Sequence, residues 1–101
     1  MASVEQLQSK LEELLGSRNV YYQPPSNMQM QYDAIRYSRS IDKVSSANDS
    51  KYLKMKCYDG VVISVLPDPE VLDKLSDLQF ISFGKPYVAD NLNHYPFTLY
   101  Y

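Results

Sequence analysis

An α+β fold, with a mostly antiparallel sheet packed by two helices, is what this 101-residue sequence predicts. Three observations carry that reading. Apolar residues recur at three- and four-residue spacing in two segments, one after Ser3 and one after Asp68. The remaining apolar runs are short and rich in β-branched and aromatic residues, the side chains that fit a pleated surface. The ten Tyr and three Phe, with no Trp, belong mainly to those runs. The length suits one domain, residues 1–101, with a single two-layer core.

The elements follow in chain order. Ser3 with Gln6 makes a capping box, after which Val4, Leu7, Leu11, Leu14 and Leu15 form one apolar stripe that Gly16 ends. Glu5, Lys10, Glu12 and Glu13 occupy the other side, so this helix packs by a single surface, against the sheet. Val20 to Gln23 reads as a strand stopped by Pro24-Pro25, and Ser26 to Gln31 as a loop. A second strand spans Tyr32 to Arg39, and the polar Ile41 to Ser50 segment is expected to be a mobile loop.

Tyr52 to Leu66 admits two readings, because Asp59-Gly60 is a hairpin signal. A hairpin there mixes charge with apolar side chains on both faces. A continuous strand places Leu53, Met55, Cys57, Val61, Ile63 and Val65 on one face, with Lys54, Lys56, Tyr58 and Ser64 opposite, and is preferred. At ~3.3 Å per residue such a strand spans roughly 45 Å, longer than a small core needs, so one end is expected to project toward a neighbour or bend near Gly60. Asp68-Pro69-Glu70 begins a helix, as N-cap, first-position proline and dipole-favoured carboxylate, completed by Val71, Leu72, Leu75 and Leu78. Gln79 to Phe83 and Phe97 to Tyr101 read as the last strands. The final apolar, aromatic strand is expected inside the sheet, since an uncovered one templates aggregation.

Chemistry is sparse. His94 and Cys57 are the only histidine and cysteine, and they stand in different segments, so a nucleophilic dyad has no partner singled out by spacing. Gly16, Gly60 and Gly84 are too scattered for a phosphate-binding loop. No enzymatic activity, cofactor or metal is expected; Asp90 and His94, the pair nearest to a metal site, read as a turn whose side chains bond to nearby backbone. A net charge of −2 argues against a dedicated nucleic-acid binder. One cysteine suits a reducing compartment, and no window approaches the ~18 apolar residues of a membrane span, so a soluble, cytosolic product is expected.

Charge separates along the chain. Arg36, Arg39, Lys43, Lys51, Lys54 and Lys56 lie close together, whereas Asp59, Asp68, Glu70, Asp73, Asp77 and Asp90 dominate the stretch after them. Such separation is either a pair of solvated faces or two complementary patches for head-to-tail assembly. Arg36, Arg39, Lys51, Lys54 and Lys56 on one side, with Asp68, Glu70, Asp73 and Asp77 on the other, are the candidate subunit interface.

The Gln23-Pro24-Pro25 step, Tyr32 with Ile35 and Tyr37, the Tyr58 strand leading to Pro67-Asp68, and Phe83, Tyr87, Ala89 to His94 and Phe97 to Tyr101 cover most of the chain after Val20. In these features the sequence resembles small neck and tail-completion proteins of tailed bacteriophages. Its organisation is similar to that of tail terminators, with a helix, a β-meander carrying a long strand or hairpin, and a second helix. It departs from them in being short and in carrying Gly60 where a β-branched residue is expected. The resemblance implies a structural virion protein made in the host cytoplasm, without cofactor, forming a six-fold homo-oligomeric ring. That ring would cap the tail tube and join it to the head connector, with tail-tube and head-connector proteins as partners and genomic DNA passing through without sequence-specific binding. The alternatives are a head-completion or stopper ring of the connector, a small non-viral binding or regulatory module, and a metal-assisted hydrolase using Asp90 and His94.

Overall fold

The computed structural model describes residues 4–40 and 56–101. They form α1 (Val4–Leu15), β1 (Val20–Tyr22), β2 (Ala34–Arg39), β3 (Cys57–Ser64), α2 (Val71–Ser76), β4 (Ile81–Phe83), β5 (Tyr87–Ala89) and β6 (Leu92–Tyr100). The strands make one sheet in the order β1-β2-β3-β6-β4, with β5 also paired to β6. β1 runs parallel to β2, and the other pairings are antiparallel. The architecture is therefore α+β with a mostly antiparallel sheet and two helices. The capping role of Ser3, the Ile41 to Ser50 loop and the 52–55 part of the long strand lie outside the described residues.

α1 lays its stripe on the sheet as the spacing requires. Leu7 and Leu11 are fully buried, with Val4, Leu14 and Leu15 half-buried beside them; burying each Leu completely stabilises by ~1.5–3 kcal/mol. Gly16, at φ 81°, ends the helix by donating its N–H to the Glu12 carbonyl at 2.9 Å, a left-handed stop that costs glycine little. α2 is shorter than the sequence suggests. Glu70, rather than Asp68, is its N-cap; the Leu72 N–H reaches back to Pro69 and that of Asp73 to Glu70, and Asp77 closes the other end. Val71 and Leu75 are its buried residues.

The helices share one face of the sheet. Ile35 and Tyr37 of β2, Tyr58 and Val62 of β3, and Phe97 and Leu99 of β6 meet Leu7, Leu11, Val71 and Leu75 there. The central strand passes through Asp59-Gly60 without turning, because Gly60 pairs with Tyr37 on one side and Phe97 on the other. The missing side chain is filled from the next strand: a Cβ on Gly60 would lie 2.3 Å from the Phe97 Cζ. This accounts for glycine where a branched residue was expected.

The helices pack on Tyr58 and Val62 of β3, whereas Cys57, Val61 and Ile63, the apolar set read from the sequence, lie on the opposite face. The second set is nevertheless buried, at 0%, 6% and 2% exposure, flanked in register by Arg36 and Pro96 at Val61, Ala34 and His94 at Ile63, and Tyr100 at Cys57. With apolar side chains buried on both faces, apolar alternation carries no information about which one the helices take. The strand also stops at Ser64 instead of reaching Leu66. Asp33 accepts hydrogen bonds from the Ser64 hydroxyl at 2.7 Å and the Val65 N–H at 3.1 Å, and the Leu66 N–H bonds to the Ser64 hydroxyl oxygen at 3.0 Å. Those bonds replace the ladder and turn the chain toward α2.

The largest departure lies after residue 84. Asp90 and Asn91, at φ 54° and 63°, form a two-residue turn between β5 and β6, the geometry that matches strand twist in tight hairpins. The expected polar turn from Ala89 to His94 is thus mostly strand, and the last strand is nine residues long, Leu92–Tyr100. It runs inside the sheet, between β3 and the β4 and β5 pair.

Candidate subunit interface

β2 carries its two arginines on opposite faces, since Arg36 and Arg39 are an odd number of residues apart. Arg36 is exposed on the face away from the helices. Arg39 is half-buried on the helix-bearing face, close enough to Tyr58 to favour its phenolate, with its Nε buried and without an acceptor among the described residues. Lys56 is half-buried where β3 begins, its backbone paired reciprocally with Tyr101. Lys51 and Lys54 lie outside the described residues. The basic cluster of the sequence is therefore split between the two faces.

The acidic set stays together. Glu70, Asp73 and Asp77 belong to α2 or its caps, Asp68 precedes it, and all four are exposed. Beside Asp73, the side chains of Leu72, Phe83, Pro86 and Tyr95 line a cleft, and Phe83 remains 43% exposed. The Tyr95 hydroxyl donates to the Pro67 carbonyl and Asn93 donates to that of Leu66, so the approach to α2 is tied to β6.

Arg36 opens onto a groove of about 400 Å³ whose lining includes Pro24, Asp59, Val61, Tyr87 and Pro96. The β5–β6 hairpin builds one wall. Tyr87 faces His94 across the ladder and stacks on its ring at 4.8 Å and 17°, while the His94 Nδ1 lies 3.0 Å from the Leu92 carbonyl. That stack leaves His94 only 9% exposed. Asp90, its supposed metal partner, sits exposed in the turn. Among the described residues no group of three or more His, Cys, Asp or Glu converges on a point where a metal ion could be held. Asp59 accepts a hydrogen bond from the Thr98 hydroxyl at 3.0 Å. Pro24, Tyr87 and Pro96 were not singled out as interface residues from the sequence; the Asp90-Asn91 turn signature was the clue that would have placed Tyr87 on a strand opposite His94.

The helix-bearing face holds a tyrosine cluster under α1. The Tyr37 ring lies 4.9 Å from that of Tyr22 and 6.0 Å from that of Tyr58. Its hydroxyl donates to Gln8 Oε1 at 2.6 Å, and the Gln8 amide donates to Glu12 at 2.9 Å and to the Val20 carbonyl at 2.8 Å. Burial, then the neighbouring Tyr58 and Tyr22 phenols and the Glu12 and Glu5 carboxylates, push the Tyr37 phenol well above its ordinary range; burial also raises Tyr58. Tyr37 and Tyr58 are core residues, and the exposed Tyr22 packs against them from the sheet edge.

Among the described residues no helix is long and apolar enough to cross a membrane. No protein-family model matches the chain, and no curated protein or solved structure matches it significantly.

Proposed function

We propose that this chain is a non-enzymatic structural protein of a tailed-bacteriophage neck, working as a homo-oligomeric ring that caps the tail tube as a tail terminator. The observation that supports the reading most is the distribution of its exposed surface. Phe83, Tyr87 and Val88 are 43%, 49% and 69% exposed along one edge of the sheet; the acidic helix lies near that edge on one face, and on the other Tyr87 shares a groove with Arg36 of β2. Apolar side chains rimmed by charge suit a surface that becomes covered on association. The hairpin that carries this edge is also the stretch with the most specific resemblance to neck proteins, Ala89 to His94 followed by Phe97 to Tyr101.

Electron microscopy of the purified chain, alone and mixed with tail tubes, tests the reading. Rings of uniform diameter seated on tube ends are expected. Rings that bind the head connector but ignore tube ends would move the chain to a stopper position. A chain that closes no ring and binds neither structure would leave the neck reading without support.

A further inference from the structure

We propose that the groove around Arg36 receives the acidic helix α2 of a second copy of this chain, in a head-to-tail contact. This rests on the oligomeric reading above and names the surfaces that would carry it. The first argument is placement. Arg36, Asp59 and Val61 project from the face opposite the helices, because Arg36 pairs with Val61 and their neighbours Tyr37 and Gly60 hold the core side. α2 packs on the other face. Surfaces on opposite faces of one sheet cannot meet within a chain, nor can two copies engage both reciprocally about a two-fold axis. Their contact is heterologous, and repeats from copy to copy until it closes or forms a filament.

Charge selects the occupant. Arg36 is exposed at the groove, and Glu70, Asp73 and Asp77 are exposed on or beside the helix. The Asp59 carboxylate beside Arg36 is half-buried and already accepts the Thr98 hydroxyl, so Arg36 is the exposed charged side chain of the groove lining and the acids of α2 are its complement. Shape agrees, since a helix is convex and the groove is an open depression. The apolar residues fit the same pairing: Pro24, Val61, Tyr87 and Pro96 line the groove, while half-buried Leu72 and exposed Phe83 flank Asp73. Tyr87, a rigid ring already stacked on His94, is placed to act as the anchor.

The test is sedimentation velocity on the full chain and on two charge reversals, R36E and D73K, with circular dichroism to check folding. The wild-type chain should self-associate, and each reversal alone should weaken association by about tenfold or more. An equimolar mixture of R36E and D73K should recover it. At one kind of contact the carboxylate introduced by R36E then meets the ammonium introduced by D73K, and at the alternate contact the unchanged Arg36 meets the unchanged Asp73. If a reversal fails to fold, R36Q and D73N take its place, and both should weaken association and flatten its salt dependence. Wild-type association that the variants leave unchanged, or variants whose mixture does not recover, would overturn this contact and leave the ring reading intact. A wild-type chain that remains a monomer at high concentration would overturn both.

Discussion

Gly60 matters for what sits on it. The Phe97 ring occupies the space of the absent side chain, and Phe97 itself is only 3% exposed within the core. Adding a methyl there forces the ring sideways into packed neighbours, so Gly60→Ala should destabilise by about 1–3 kcal/mol. Urea unfolding reads this as a lower midpoint at unchanged slope, and the double variant Gly60→Ala with Phe97→Leu should recover part of the loss. An unaltered midpoint in Gly60→Ala would mean that the ring has somewhere else to go. Tyr37 gives a second expectation at the same scale. Below about pH 10, the ordinary tyrosine value, both folded and unfolded states keep the phenol protonated, and its linkage contribution to stability is constant. Above that value the unfolded chain ionises first, because burial raises Tyr37 and Tyr58 in the fold. Stability should therefore fall as pH rises past about 10, and absorbance titration should show the Tyr37 and Tyr58 phenols ionising later than a free tyrosine. Ionisation of all ten tyrosines at the ordinary value, before any loss of circular dichroism, would contradict it.

At the scale of elements, the β5–β6 hairpin depends on two side chains tolerating a left-handed backbone. Asp90 and Asn91 both do so, at φ 54° and 63°, and they are among the few non-glycine residues that pay little for it. Asn91→Val should cost on the order of 1–3 kcal/mol, whereas Asn91→Gly should be neutral or stabilising. Thermal unfolding of the two variants checks the pair of signs; equal effects would mean that the turn relaxes to another geometry. The hairpin also indicates which parts of the fold were legible in the sequence. α1 could be read because its period repeats over three turns and Gly16 stops it, both local signals. The continuity of β3 could be read because a hairpin at Asp59-Gly60 would have mixed charge with core. Its facing could not, since Val61 and Ile63 are sealed on one side as thoroughly as Tyr58 and Val62 on the other. Asp59-Gly60 and Asp90-Asn91 are both plausible turn dipeptides, and only the second turns. What decides is the Phe97 ring lying over Gly60, a partner 37 positions away that no local window contains. The interface candidates divide in the same manner: the acids fall on one helix and stay together, while strand alternation separates Arg36 from Arg39.

On the scale of the whole molecule, the two helices cover one side of the sheet, and among the described residues no helix or strand packs over the other. Val61 and Ile63 are buried on that side, where Val61 borders a groove. If a neighbour's helix fills that groove, association adds to the stability of each folded chain, because only the folded state presents the surface. Ligand-linked stabilisation grows as the logarithm of partner concentration, so the melting temperature should rise with protein concentration. Exposed charge pairs contribute only ~0–1 kcal/mol each and are screened by salt. Charge should therefore set orientation and encounter rate, with Tyr87 and the prolines of the groove supplying most of the affinity. Raising salt should weaken the concentration dependence of melting without abolishing it, while Tyr87→Ala should nearly remove it and leave the dilute-limit melting temperature within a few degrees. Differential scanning calorimetry across a hundredfold range of concentration separates these cases. A melting temperature that does not move with concentration in the wild-type chain would mean that the open face of the sheet is stable as it stands, with no second copy required to cover it.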